Sequence, residues 1–394
     1  MNLWWLWLIA PAVASIGDNL EDFKDCVHAC NSMMMCDTDD VLKTIHDTRI
    51  QQIMEGRPGD QVAVAKSKRK DLYFYDRRFF QESYRQHPMF DLWWSCAADC
   101  NYKCQQIVTH WRHEHGEPMV KFYGKWPFTR WLGMQEFFSA IFSFANFYVN
   151  WLAVKPVLRQ VHKNSKSHIA PEYARILRQF LYLILGSMAG WLLSTVFHIR
   201  DVPATETLDY FGAFAIVLLN FNAIGYRLLK VWRWSGMARA GWHSALLLVY
   251  VFHCTKLYLH WDYGYNTRVN LVFGLAALAM WVIHSLLVKR ALATSTVDYS
   301  SSAQLMPFET ALLNKLKVVG INNSKIIPYL PILLNIIMLL GLSFELRDRP
   351  PWFQMIDAHA MWHLFTIWPP LLWYDWNIWD VELLKLRQEA TKAK

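Results

Sequence analysis

Ser194 and His198 lie four residues apart at the end of one apolar stretch, and His359 and His363 repeat that spacing in DAHAMWH, near the start of the last one. A four-residue offset puts both members of each pair on one helix face. Ionisable groups at membrane depth are costly and by default mark a functional site. Three neutral imidazoles, His198, His359 and His363, converging from two helices would hold Zn2+ and leave its fourth position open for water. The metal would lower the pKa of that water to about 7 and polarise a carbonyl oxygen. Asp209, eleven residues beyond His198, is the candidate general base for the water. Ser194 is the candidate donor to the oxyanion of a tetrahedral intermediate. A Ser194 nucleophile with a histidine base is the competing arrangement, but it gives His359 and His363 no task. Arg200, Asp201 and Glu206 in HIRDVPATETLD are candidates for orienting ligands or binding a head group, as is Asp357 beside the second pair. The plainer reading of the HIRDVPATETLD group is a solvated loop. His243, His253 and His284 stand alone in apolar runs and read as hydrogen-bonded packing.

The elements that must position these groups are membrane spans. Of 394 residues, 54% are hydrophobic and 15% aromatic, with 21 Trp. A soluble domain rarely carries that content, and a multi-span membrane protein does. Seven candidate spans run over 132–154, 176–198, 208–229, 242–259, 269–288, 326–346 and 355–373, each near the ~17–25 residues a span needs. Pro328, Pro331, Pro369 and Pro370 predict kinks in the last two. The expected fold is an all-α membrane protein, a seven-transmembrane helix bundle.

Loop charge sets the expected orientation. The loops after the first, third and fifth spans hold thirteen Lys or Arg, among them Lys155, Arg159, Lys163, Lys230, Arg233, Lys289 and Lys315. The alternating loops hold Arg200, Arg268, Arg347 and Arg349. The first set is therefore expected in the cytosol, which gathers Ser194, His198, Asp209, His359 and His363 at the lumenal face. The net charge of +8 is spread between spans, so topology accounts for it and no nucleic acid is implied. The dense basic run KSKRK at 66–70 reads as a solvated loop.

Residues 1–15 read as a cleavable signal peptide ending in small residues. A polar lumenal domain is expected over 16–130, the spans over 131–376 and a cytosolic tail over 377–394. The lumenal domain carries Cys26, Cys30, Cys36, Cys96, Cys100 and Cys104. An even number of cysteines in an oxidising compartment favours disulfides. Spacings of four line the sulfurs along helix faces, so two helices stapled face to face would satisfy the pattern. Fifteen pairings of six cysteines are open. The alternative is a lumenal zinc site drawing on His110, His113 and His115. Cys254 in the fourth span reads as a buried apolar thiol.

With Ser194, His198, Asp209, His359 and His363 in hand, the chain resembles the CREST superfamily of seven-span, metal-dependent lipid hydrolases and receptors. It is similar in particular to the GPI-anchor lipid-remodelling branch of that superfamily. The segments that carry this likeness are the Cys-rich domain, GKWPFTRWLGMQEFFSAIFSFANFYVN (124–150), FHIRDVPATETLDYFGA (197–213) and DAHAMWHLFT (357–366). The resemblance implies a zinc-dependent phospholipase A2-type enzyme of the endoplasmic reticulum membrane. Its substrate would be the inositol phospholipid of GPI-anchored proteins, which loses its sn-2 acyl chain during fatty-acid remodelling; membrane lipids surround the site. The rivals are an alkaline ceramidase-like amide hydrolase and a non-catalytic lipid receptor or GPI-protein folding factor. A metal transporter is disfavoured by a site at one membrane face.

Overall fold

The computed structural model describes residues 15–36, 80, 94–166, 171–295, 299 and 302–392. The expected signal peptide, apart from Ser15, and the basic run at 66–70 lie outside them. Among the described residues the chain is almost entirely helical, with isolated bridges at Phe122–Lys125 and Trp131–Met134 as its only β pairing. It divides into two compact units.

One unit holds Ala12–Phe137 and Pro350–Met355. Its frame is a helix pair, α1 (Glu21–Met34) and α2 (Cys96–Glu114). Three disulfides cross it: Cys26–Cys104, Cys30–Cys100 and Cys36–Cys96. The first partner's number rises as the second's falls, so the helices run antiparallel with the bridges as rungs between them. Phe23, Phe80, Ile107 and Phe122 fill the small core beside them. Because all six cysteines are spent on disulfides, the competing zinc site has no thiolates to draw on. Exposed His110 pairs with Glu114 at 3.1 Å, and His115 stacks on Trp111. In the same unit the Arg130 guanidinium lies 3.3 Å from the Trp94 ring centroid and 4.0 Å from that of Tyr102. Backbone N–H of Thr129 donates to the Gln354 carbonyl at 2.9 Å, which binds 350–355 to this unit.

The other unit holds Phe138–Arg349 and Ile356–Lys394. Its helices are α3 (Phe137–Ser165), α4 (Glu172–Ile199), α5 (Pro203–Leu228), α6 (Gly236–Leu259), α7 (Tyr263–Ala293), α8 (Met306–Val318), α9 (Leu330–Glu345), α10 (Ala358–Ile367) and α11 (Pro370–Lys392). Among the described residues, five stretches are long and apolar enough to cross a membrane: Phe137–Ser165, Glu172–Ile199, Pro203–Leu228, Tyr263–Ala293 and Ser324–Glu345, the last entering α9 through a 3-10 turn. The fourth and seventh expected spans are the ones that fall short. Arg239, His243 and Lys256 dilute α6, and α10 is only 10 residues long. Pro369 and Pro370 end α10, because proline supplies no N–H to continue the ladder. The kink expected there is thus a break between two helices.

Trp232, Trp281, Trp376, Phe180, Ile176 and Ile184 are fully buried in this unit. Leu247, Leu248, Val251 and Phe252 of α6 are exposed, an apolar surface suited to lipid. α11 runs unbroken across 376–377, and Trp376, Asn377, Trp379 and Asp380 are all buried. Asp380 accepts two bonds from Arg227, at 2.7 and 3.1 Å, and lies 3.1 Å from His284 Nε2, joining α5, α7 and α11.

Candidate metal centre

α4 and α5 are antiparallel neighbours, and small residues set their approach. A Cβ placed on Gly190 would stand 3.0 Å from the Gly212 carbonyl oxygen and 2.7 Å from Ile216 Cδ1, and one on Gly186 would meet Leu219. Gly186, Gly190, Ser194 and His198 follow one another at steps of four, so the row that makes this contact continues into the chemical pair. On α5 the row facing α4 is Gly212, Ile216 and Leu219, and helical spacing extends it backwards to Asp209. Measured from the glycine crossing, Ser194 lies about 6 Å and Asp209 about 4.5 Å further along, at 1.5 Å per residue. Asp209 is therefore level with Ser194 on the facing helix, and it is half-buried.

α10 supplies the second pair. Asp357 caps its start, its Oδ1 accepting from Ala360 N–H at 2.8 Å. One ring nitrogen from each of His198, His359 and His363 lies within 4.8 Å of the others. His198 is 1% and His363 3% exposed, so two of the three imidazoles are sealed from bulk water. The ring centroids stand 5.2 Å (His198–His359), 5.0 Å (His198–His363) and 4.4 Å (His359–His363) apart. Two helices remote in sequence thus bring together the three residues singled out by spacing.

Hydrogen bonds set the tautomers of two of the rings. His359 Nδ1 is 2.8 Å from Glu345 Oε2. An ionised carboxylate offers only acceptors, so His359 donates from Nδ1 and carries its lone pair on Nε2. His363 Nδ1 is 2.7 Å from Ser143 Oγ, whose single hydrogen is given to Ser194 Oγ at 3.3 Å. Ser143 must then accept from His363, which again leaves the lone pair on Nε2. Neutral imidazoles with Nδ1–H anchored and Nε2 basic are one form in which histidine ligates zinc. The donor set therefore fits a metal ion, and it includes no carboxylate.

Ser143, Asn146 and Glu345 were not singled out by the sequence reading. Asn146 Nδ2 donates to the His363 carbonyl at 2.8 Å, and Asn150 Oδ1 accepts from Tyr374 at 2.7 Å. The available signal was the polar row Ser139, Ser143, Asn146 and Asn150 along one face of an apolar helix.

The peripheral candidates take up local duties. Thr205 Oγ1 donates to the Arg200 carbonyl at 2.8 Å, tying the α4–α5 turn. Burial lowers the Arg200 guanidinium from its ordinary pKa, against the opposing pull of Asp201. Glu206 accepts from the Tyr263 hydroxyl at 2.6 Å, which links the start of α5 to that of α7. None of Arg200, Asp201, Glu206 and Asp357 belongs to the three-histidine group.

Fold and site together define a helical membrane protein with a largely buried three-histidine centre and a disulfide-linked helical unit. The chain belongs to the Per1-like family, whose model matches residues 89–381. It is 32% identical to Protein PER1 of Saccharomyces cerevisiae, over 93% of this chain and 92% of that one. It is 28% identical to post-GPI attachment to proteins factor 3 of Drosophila melanogaster, over 98% of this chain and 93% of that one. It is 31% identical to the GPI-specific phospholipase A2-like PGAP3 of Bos taurus, over 76% of this chain and 80% of that one. No solved structure matches it.

Proposed function

We propose that the chain is a GPI-specific phospholipase A2-type hydrolase of the endoplasmic reticulum membrane. In this reading it removes the sn-2 acyl chain from the inositol phospholipid of GPI-anchored proteins. The observation that carries the proposal is the convergence of His198, His359 and His363 within 4.8 Å, in a chain with relatives named GPI-specific phospholipase A2-like. In this reading α6 and the α10–α11 pair complete seven membrane crossings, and the loop charges orient the three-histidine centre to the lumenal side. The GPI glycan and its protein lie on that side too.

His198, His359 and His363 would hold zinc through ring nitrogens, Nε2 in the last two. When bound, the ion supplies Lewis acidity to a water molecule and to the ester carbonyl. The Asp209 carboxylate takes a proton from the attacking water as its oxygen adds to the carbonyl carbon. The Ser194 hydroxyl, which accepts from Ser143, retains its own hydrogen to donate to the developing oxyanion. Collapse breaks the acyl C–O bond, and Asp209 returns the proton to the departing glycerol oxygen. The products are a fatty acid and a lyso-lipid. Arg200 and Asp201, beside the end of α4, are suited to the polar head group.

The test is lipid analysis of GPI-anchored proteins from cells that lack the chain and carry Asp209→Asn in its place. Retained sn-2 chains, with metal content unchanged in the purified variant, are expected. Normal remodelling by that variant would assign the chain a non-catalytic role. In cells that lack the chain altogether, sn-2 chains removed as usual together with accumulated ceramide would favour the amide-cleaving rival.

A further inference from the structure

Glu345 is the last residue of α9, and His359 the second of α10. The two helices run antiparallel in close contact, and Gly341 permits it. A Cβ there would stand 2.7 Å from Phe365 Cβ and 3.0 Å from Trp362 Cε3. Glu345 lies one turn beyond Gly341 on the same row. The stacking of Phe344 on Phe365, with ring centroids 5.5 Å apart, fixes the same register. The Glu345 carboxylate thereby reaches His359 Nδ1 at 2.8 Å.

Resting on the metal reading of this centre, we infer that Glu345 is a positioning residue that holds His359 in its ligating tautomer and ring orientation. His198 and His363 are gripped by deep burial, and His363 also by Ser143. His359 is different, because a third of its side chain is exposed (34%). Burial holds this ring less firmly than the other two, and the carboxylate bond supplies a directional hold on it. A carboxylate behind a ligating imidazole also raises the basicity of the metal-facing nitrogen, and losing such a partner typically weakens metal binding by about 10–100-fold. Glu345 touches neither the reacting atoms nor the ion in this assignment. It acts through His359.

The test uses the whole chain purified in detergent, with Zn2+ as probe and a graded series of chelators. Four forms are compared: unaltered, Glu345→Gln, Glu345→Met and His359→Ala. Glutamine keeps an oxygen acceptor for Nδ1–H, whereas methionine keeps the bulk and removes the acceptor. The expected result is a chelator midpoint shifted about 10–100-fold towards weaker binding in Glu345→Met. Glu345→Gln should recover most of the loss, and metal-free melting temperatures should match the unaltered protein's. Equal Zn2+ retention by Glu345→Met and the unaltered chain, with loss in His359→Ala, overturns the role of Glu345 alone. If the unaltered chain takes up no Zn2+, the metal reading falls and this inference with it.

Discussion

Gly190 of α4 and Gly212 of α5 meet backbone to backbone, so closely that a Cβ on Gly190 would press on the Gly212 carbonyl oxygen at 3.0 Å. One turn further along the same rows stand Ser194 and Asp209. The crossing therefore sets how near the carboxylate comes to the histidine centre.

Substitution at Gly190 should separate geometry from metal binding. Alanine gains about 1 kcal/mol of helix propensity but must push against a backbone oxygen, and leucine forces the helices apart. A displacement of about 1 Å can cost about 100-fold in rate. Gly190→Leu is thus expected to lower the proposed sn-2 deacylation about 100-fold while bound Zn2+ stays stoichiometric, with Gly190→Ala in between. Lipid analysis and metal content on the same preparations check this. Parallel loss of both would mean that the crossing holds the whole centre rather than Asp209.

Metal removal should register as stability. A ligand bound only by the folded state adds about 2.7 kcal/mol at a concentration 100 times its Kd. Melting in detergent should therefore rise with added Zn2+ and fall with chelator. His363→Ala should abolish the dependence, because it removes a buried ligand together with the ring that Ser143 holds. A Zn2+-independent melting temperature in the unaltered protein would count against the centre.

Much of this site is legible in the sequence, because the chemistry and the helical period coincide. Ser194/His198 and His359/His363 each needed only a spacing of four. Glu345 is not legible in that way. It looks like an ordinary residue at the end of a span, and its partner is fixed by how α9 folds back on α10. Ser143 belongs to a polar row that helical periodicity reveals, but its meaning depends on which helix faces it. The disulfide pairing was open for the same reason. Spacing gives two cysteine-bearing faces, and only their antiparallel contact selects Cys26–Cys104, Cys30–Cys100 and Cys36–Cys96.

The three rungs should not open together. Cys26, Cys30 and Cys104 are fully buried, and Cys100 nearly so, while Cys36 and Cys96 are half-buried. Thiol–disulfide exchange needs access for the attacking thiolate. Graded reductant followed by alkylation and mass spectrometry should therefore label Cys36 and Cys96 first. Replacing Cys26 and Cys104 together by alanine should cost about 2–5 kcal/mol, measured as a lower unfolding midpoint of the helix pair. First labelling at Cys26 and Cys104 would mean that the pair opens from its other end.

The Arg227–Asp380–His284 group tests what holds α5, α7 and α11 together away from the three-histidine centre. Arg227 and Asp380 are 8% and 2% exposed and share two bonds in a fork-on-fork geometry. Taking both charges out of water is costly, so the pair contributes little against an apolar pair of the same size. Breaking it is another matter. Asp380→Ala leaves the guanidinium buried without its counter-charge, and such a change typically destabilises by about 3–5 kcal/mol. Asp380→Leu with Arg227→Met removes both charges and should recover most of that loss. Thermal unfolding of the single and double variants in detergent gives the comparison. Because the group shares no residue with the three-histidine set, Zn2+ content should be unchanged in the double variant. Equal destabilisation by the single and double changes would mean that helix packing around Trp281 and Trp376, rather than the ion pair, carries the contact.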